Sequence, residues 1–246
     1  MSERLAIVWF LLAGACGRIG FASESSGDSG VIDSDLATCP AFADFCDDFE
    51  TGDLSRWDGM RIVGSGSVSV EPGAARDGRF GLHAQVPAPA AGNDEASIEV
   101  TRASPSSGTY AMREWIDPLT PIVNYTFVLS ARDDQGAYAA VGGNSSGDWV
   151  ASEAPPGGTP IGDHPSPEAT VTPGNWVCAE LDVIVGSPAG TSQIELYVGD
   201  ALVVSSPMVD PMPAYTELFV GIPRAAPIGF EVRVDDVVIA HQHIGC

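Results

Sequence analysis

The 246-residue sequence predicts an all-β protein, a two-sheet antiparallel sandwich, and three observations carry that expectation. Apolar and polar residues alternate in short runs such as AELDVIVG (179–186) and IELYVGD (194–200), so that one face of each strand is buried and the other is wet. Runs of this kind recur at short intervals between Gly, Pro and Asp, and no apolar pattern of helical period lasts beyond a couple of turns. With 28 Gly, 19 Pro and only 18% charged residues, the composition suits a loop-rich β domain of ordinary sandwich size.

The N-terminus is read separately. MSERLAIVWFLLAGA (1–15) places an Arg before an unbroken apolar run, Leu5 to Leu12, closed by small residues. This is the pattern of a secretory signal and is too short for a permanent membrane span. Cys16 follows directly, and LLAGAC resembles the lipobox of bacterial lipoproteins, although its Leu lies four residues before the Cys rather than three. The resemblance implies lipidation at Cys16 and an exported protein of the cell envelope, an outer-membrane lipoprotein, with plain secretion as the alternative. Residues 16–38, rich in Gly, Ser and Asp, then form a flexible acidic tether ahead of a domain spanning 39–246.

All eleven basic residues are Arg, and 33 acidic residues bring the net charge to −22. Such a surface repels phosphate backbones and anionic lipid, which excludes nucleic acid as a partner and leaves the lipid anchor as the membrane contact. Acidity serves either to keep the protein soluble or to collect cations. Four cysteines remain, Cys39, Cys46, Cys178 and Cys246. An even number in an exported chain predicts disulfides, and the favoured pairing is Cys39 with Cys46 and Cys178 with Cys246, against two alternatives. Zinc competes weakly, because there is no C-x-x-C pair and the compartment is oxidising.

In order along the chain, strands are expected at 45–49, 60–63, 67–71, 81–86, 96–101, 109–115, 125–131, 137–142, 149–152, 168–172, 176–185, 193–198, 201–205, 217–221 and 230–240. Gly199-Asp200 reads as a tight hairpin turn. The segment 154–167 holds five prolines and three glycines. Proline lacks the ladder donor, so this segment is excluded from the sheet interior and is read as a rim loop or a lid.

Three stretches together, FCDDFETGDLSRW (45–57), GNWVCAELDV with IELYVGDALV, and FEVRVDDVVIA (230–240), resemble the concanavalin A-like lectin/glucanase jelly roll in its broad LamG-like group. A galactose-binding-like jelly roll is the rival. The resemblance implies that the first and last strands are neighbours, that Trp176 packs between the sheets, and that a structural calcium is held by Glu50, the Gly52 carbonyl and Asp235, with Asp48, Asp53 and Asp236 as the adjacent alternatives. The competing reading makes Asp47, Asp48 and Asp53 solvated charges, while Phe45, Phe49, Leu54 and Trp57 fill the core.

Catalytic patterns are absent. Glucanases of this fold carry E-x-D-x-x-E on one strand, and Glu180-Leu-Asp182 with Glu195 lacks the second Glu. Lyase chemistry needs a cation beside a His or Tyr base, and Arg113, Tyr110, Tyr138 and His83 supply the types without a motif. His241 and His243 alternate and so share a face. Sugar binding is the sharper expectation: aromatics that stack on a pyranose, Trp115, Tyr138 and Trp149, with Arg113, Asn144 and Asp148 as polar partners. The opposing reading buries both tryptophans in the sandwich. The sequence therefore predicts non-catalytic binding of a glycan or envelope partner, with a structural or adhesive lipoprotein as the alternative and a glycan-active hydrolase or lyase behind both.

Overall fold

The computed structural model describes residues 39–157, 162–186, 191–208 and 214–246. The signal segment, Cys16 and the tether lie outside the described residues. Fifteen strands are described: β1 (Ala43–Asp47), β2 (Gly59–Val63), β3 (Ser67–Pro72), β4 (Phe80–Val86), β5 (Glu95–Thr101), β6 (Gly108–Pro118), β7 (Thr126–Arg132), β8 (Tyr138–Gly143), β9 (Asp148–Ala154), β10 (Gly162–Thr170), β11 (Val177–Val185), β12 (Gln193–Val198), β13 (Ala201–Pro207), β14 (Glu217–Arg224) and β15 (Phe230–Ala240).

They form two antiparallel sheets. The first, eight-stranded, runs β13-β12-β11-β6-β15-β4-β3 with β1 added to β15, and the second, seven-stranded, runs β10-β9-β8-β7-β14-β5-β2. Strand alternation turns one face of each sheet inward, so Met112, Ile116, Leu181, Val183 and Val234 of the first sheet meet Ile98, Leu129, Val141, Leu218 and Val220 of the second in a single core. The first and last strands are neighbours as expected: Ala43 pairs with Ala240 and Asp47 with Val237. Both disulfides have the favoured pairing, Cys39–Cys46 and Cys178–Cys246, with Cα separations of 5.8 and 6.0 Å.

The proline-rich segment departs from its reading as a loop. Residues 162–170 form β10, paired in register with β9 from Gly162↔Glu153 to Pro165↔Val150. Proline is tolerated because β10 lies at the end of its sheet, where one side of the strand has no ladder to serve. The hairpin at Gly199-Asp200 joins β12 to β13 with Val198 opposite Ala201, and Gly199 supplies the left-handed backbone the turn requires (φ 61°).

The start of the domain is an aromatic cluster. Phe49 and Trp57 stack at 6.1 Å, Phe45 meets Trp57 edge-on at 5.0 Å, and all three are buried. Asp47 is buried with them and is not a solvated charge: its Oδ1 accepts the Phe49 N–H and its Oδ2 the Trp57 indole N–H. Trp176 corrects the expectation that it packs between the sheets. It precedes β11, is half-buried and is not among the buried core residues. The core tryptophan opposite is Trp149.

Candidate functional site

The sequence-predicted ligand residues do not converge. Trp149 is 1% exposed and fills the core, where no sugar face can reach it. Arg113 and Trp115 lie on the outer face of the first sheet, Arg113 donating to the Gly245 carbonyl at 3.0 Å and Trp115 lying under the Arg76 guanidinium at 4.0 Å. Asn144 and Asp148 shape the β8–β9 turn: Asn144 Oδ1 accepts the N–H groups of Ser146 and Asp148. Tyr138 faces an open recess with basic side chains beside it.

That recess lies on the outer face of the second sheet, has a volume of about 280 Å³, and is lined by Glu95, Phe127, Arg132, Tyr138, Pro223 and Arg224 among others. Local sequence explains the convergence. The turn RDDQGAY closes on the Asp133 carboxylate, which accepts the N–H groups of Gln135 and Ala137, and so sets Arg132 opposite Tyr138 in the β7–β8 ladder. Two irregularities then re-aim neighbouring side chains. The β7–β8 register shifts between Phe127 and Leu129, and the β14–β7 register shifts between Val220 and Arg224. Gly221, in a left-handed conformation (φ 108°) and close to the Ala96 carbonyl, permits the second shift, which brings Arg224 over the Phe127 ring at 5.6 Å.

Arg132 is held firmly. Its Nη2 donates to the Pro223 carbonyl at 2.6 Å, its Nη1 contacts Glu95 Oε1 at 3.3 Å, and its guanidinium covers the Phe219 ring at 4.5 Å. Burial lowers its pKa and Glu95 opposes that shift, so it remains a cation. Tyr138 packs on Phe127 at 5.6 Å, and its buried hydroxyl makes no hydrogen bond of sound geometry among the described residues. Burial raises the Tyr138 pKa, and the neighbouring Arg224 guanidinium is the largest opposing influence. The recess thus presents a cation, a hydroxyl beside it and an aromatic floor, the elements that orient an anionic sugar. Sequence reasoning found Tyr138 and missed Arg132 and Arg224. The hairpin ARDDQGAYAA carried a signal for Arg132; the bulge that turns Arg224 inward left none.

Two of the calcium positions, Glu50 and Asp235, bond the loop between β3 and β4. Glu50 Oε1 accepts the Arg79 and Phe80 N–H groups at 2.7 and 2.8 Å, and Asp235 Oδ2 accepts the Arg76 N–H at 2.8 Å. Gly52 faces the Phe80 ring. Burial, then the adjacent Asp236, pushes the Asp235 carboxyl up to about 7, against the loop N–H groups. Arg76 bonds Asp236 at 2.9 Å and supplies part of the positive charge this seam calls for. The donor set, carboxylates and carbonyls only, fits a hard cation.

The two sheets, their strand order and the joined termini define a concanavalin A-like jelly-roll sandwich. Among solved structures the chain is similar to the cellulose-induced protein Cip1 (TM-score 0.63, 20% identity, 82% of this chain and 99% of that one). It is also similar to the endo-β-1,4-glucuronan lyase of the fungus Trichoderma reesei (TM-score 0.62, 15% identity, 81% and 96%). No family model matches the sequence, and no curated protein matches it.

Proposed function

We propose that this protein binds an acidic, uronate-bearing glycan in the Tyr138 recess. The observation that carries the reading is the meeting of Arg132, Arg224, Tyr138 and Phe127 around one opening on the outer face of the second sheet. A carboxylate pairs with guanidinium through charge-assisted hydrogen bonds, and a pyranose face packs on an aromatic ring. The similarity to a structure named as a glucuronan lyase supports the same ligand class. Titration with glucuronan, beside a neutral β-glucan of matched length, tests it: saturable binding of the acidic polymer alone is expected.

A second reading, β-elimination, is favoured by the Tyr138 hydroxyl, which is buried beside Arg224 and makes no hydrogen bond of sound geometry among the described residues. In that chemistry a cation neutralises the uronate carboxylate while a base removes the proton α to it, and the leaving oxygen is protonated. Appearance of unsaturated uronate ends, followed by ultraviolet absorbance, separates cleavage from binding alone. Export, lipidation at Cys16 and a structural calcium at Glu50, Gly52 and Asp235 complete the proposal. They are tested by acyl labelling lost in Cys16→Ser, and by a lower melting temperature of calcium-loaded protein after chelation.

A further inference from the structure

We propose a second cation site, for a first-row transition metal ion, on the outer face of the first sheet, formed by Glu180, Asp182 and His243. The E-x-D pair that is incomplete as a glucanase motif lies on β11 facing outward, and the last residues of the chain cross over it. Cys178, on the same face of the strand, ties this tail down through Cys246. Both Glu180 oxygens accept tail N–H groups, Oε1 from Ile244 at 2.6 Å and Oε2 from Gly245 at 2.8 Å. His243 is held so that its Nδ1 lies 3.1 Å from Glu180 Oε1 and 2.9 Å from Asp182 Oδ2.

Three features distinguish this cluster from a solvated group of charges. One ligand atom from each residue falls within 4.8 Å of the other two, and separations near 3 Å are those between adjacent donors around an ion bound at about 2.1 Å. The carboxylates are shut away, with side-chain exposures of 0% for Glu180 and 3% for Asp182, and Asp182 Oδ1 has no hydrogen-bond partner among the described residues. His243, by contrast, is 48% exposed and gives the site an opening to solvent.

Charge points the same way. Glu195 is a third carboxylate near His243, bonded to Tyr197, whose ring lies 4.4 Å from the imidazole. The cation opposite is Arg113, across the ladder from Glu180, and its Nη1 is committed to the Gly245 carbonyl. Two carboxylates packed against each other call for a positive centre between them, which a bound cation supplies. An imidazole nitrogen with two carboxylate oxygens is a mixed set that zinc and its neighbours accept and calcium does not favour.

Zinc chloride is titrated calorimetrically into the full chain in saturating calcium, which keeps the Glu50/Asp235 region out of the readout. Expected is one saturable site. Loss of a ligand in His243→Ala, or in the near-isosteric Asp182→Asn, is expected to weaken binding by roughly a hundredfold, at least the loss seen on removing an outer-shell partner. His241→Ala, altering an exposed histidine two residues away, is expected to leave it unchanged. Absence of saturable binding, wild-type affinity in both ligand variants, or loss in His241→Ala alone overturns the proposal.

Discussion

The indole N–H of Trp57 donates to Asp47 Oδ2 at 2.6 Å, and the same carboxylate holds the Phe49 N–H through Oδ1 at 3.1 Å. One buried side chain therefore fixes both members of the aromatic stack, and holds Phe49 where its φ of 58° would otherwise be unfavourable. Asp47→Ala leaves two buried donors unpaired and is expected to lower stability by about 2–4 kcal/mol, read from denaturant unfolding. Trp57→Phe keeps the stack and loses one bond, for about 1–2 kcal/mol.

Glu114 points into the core from β6, fully buried, with neither carboxylate oxygen hydrogen-bonded among the described residues. Burial holds its pKa well above the usual carboxylate range. The folded protein therefore keeps a proton that the unfolded chain has released, so stability falls as pH rises above the ordinary Glu value, by up to about 1.4 kcal/mol per pH unit. Glu114→Gln removes that titration. Its unfolding midpoint is expected to rise relative to wild type as pH increases from 5 to 8 (roughly the span above an ordinary Glu pKa), and a constant difference would refute this assignment.

The Cys178–Cys246 bond closes a loop of sequence separation 68, which in the chain-entropy model is worth about 4 kcal/mol. Replacing both cysteines with Ser is expected to lower stability by about that amount and to expose the Ile244 and Gly245 amides, visible as faster hydrogen exchange. Zinc affinity is expected to fall in the same variant, because His243 is carried by the freed tail.

Much of the fold is legible in local pattern, and the exceptions have physical causes. Alternation located AELDVIVG and IELYV because each has one buried and one wet face, and the paired charges of FCDDFE and VRVDDVV did mark the seam where β1 joins β15. Proline counting misplaced β10, since the rule against proline applies to strands with neighbours on both sides and position within a sheet is not a local property. The candidate site was less legible. Trp149 has the residue type of a ligand aromatic and is core, because residue type does not report phase; Arg224 reaches the recess only through a bulge that shifts register by its extra residues. Glu180 and Asp182 acquire a metal-binding character only from His243, which lies 61 residues beyond Asp182 in sequence.

Arg224 and Tyr138 separate binding from cleavage. Arg224→Ala is expected to weaken glucuronan binding by roughly ten- to a hundredfold, the loss of one charge-assisted hydrogen bond, with little effect on stability. Tyr138→Phe is expected to retain most of the affinity and to abolish any formation of unsaturated uronate. Rising salt should weaken binding in wild type more than in Arg224→Ala, since the variant has less charge to screen.

The most direct test is an isothermal titration of wild-type protein and Arg224→Ala with glucuronan, with neutral β-glucan as the reference. Saturable binding of the uronate polymer, absent for the neutral one and weakened at least tenfold in Arg224→Ala, is the predicted result. Equal affinity for both polymers, or glucuronan binding that Arg224→Ala leaves intact, would contradict the Tyr138 recess as the site.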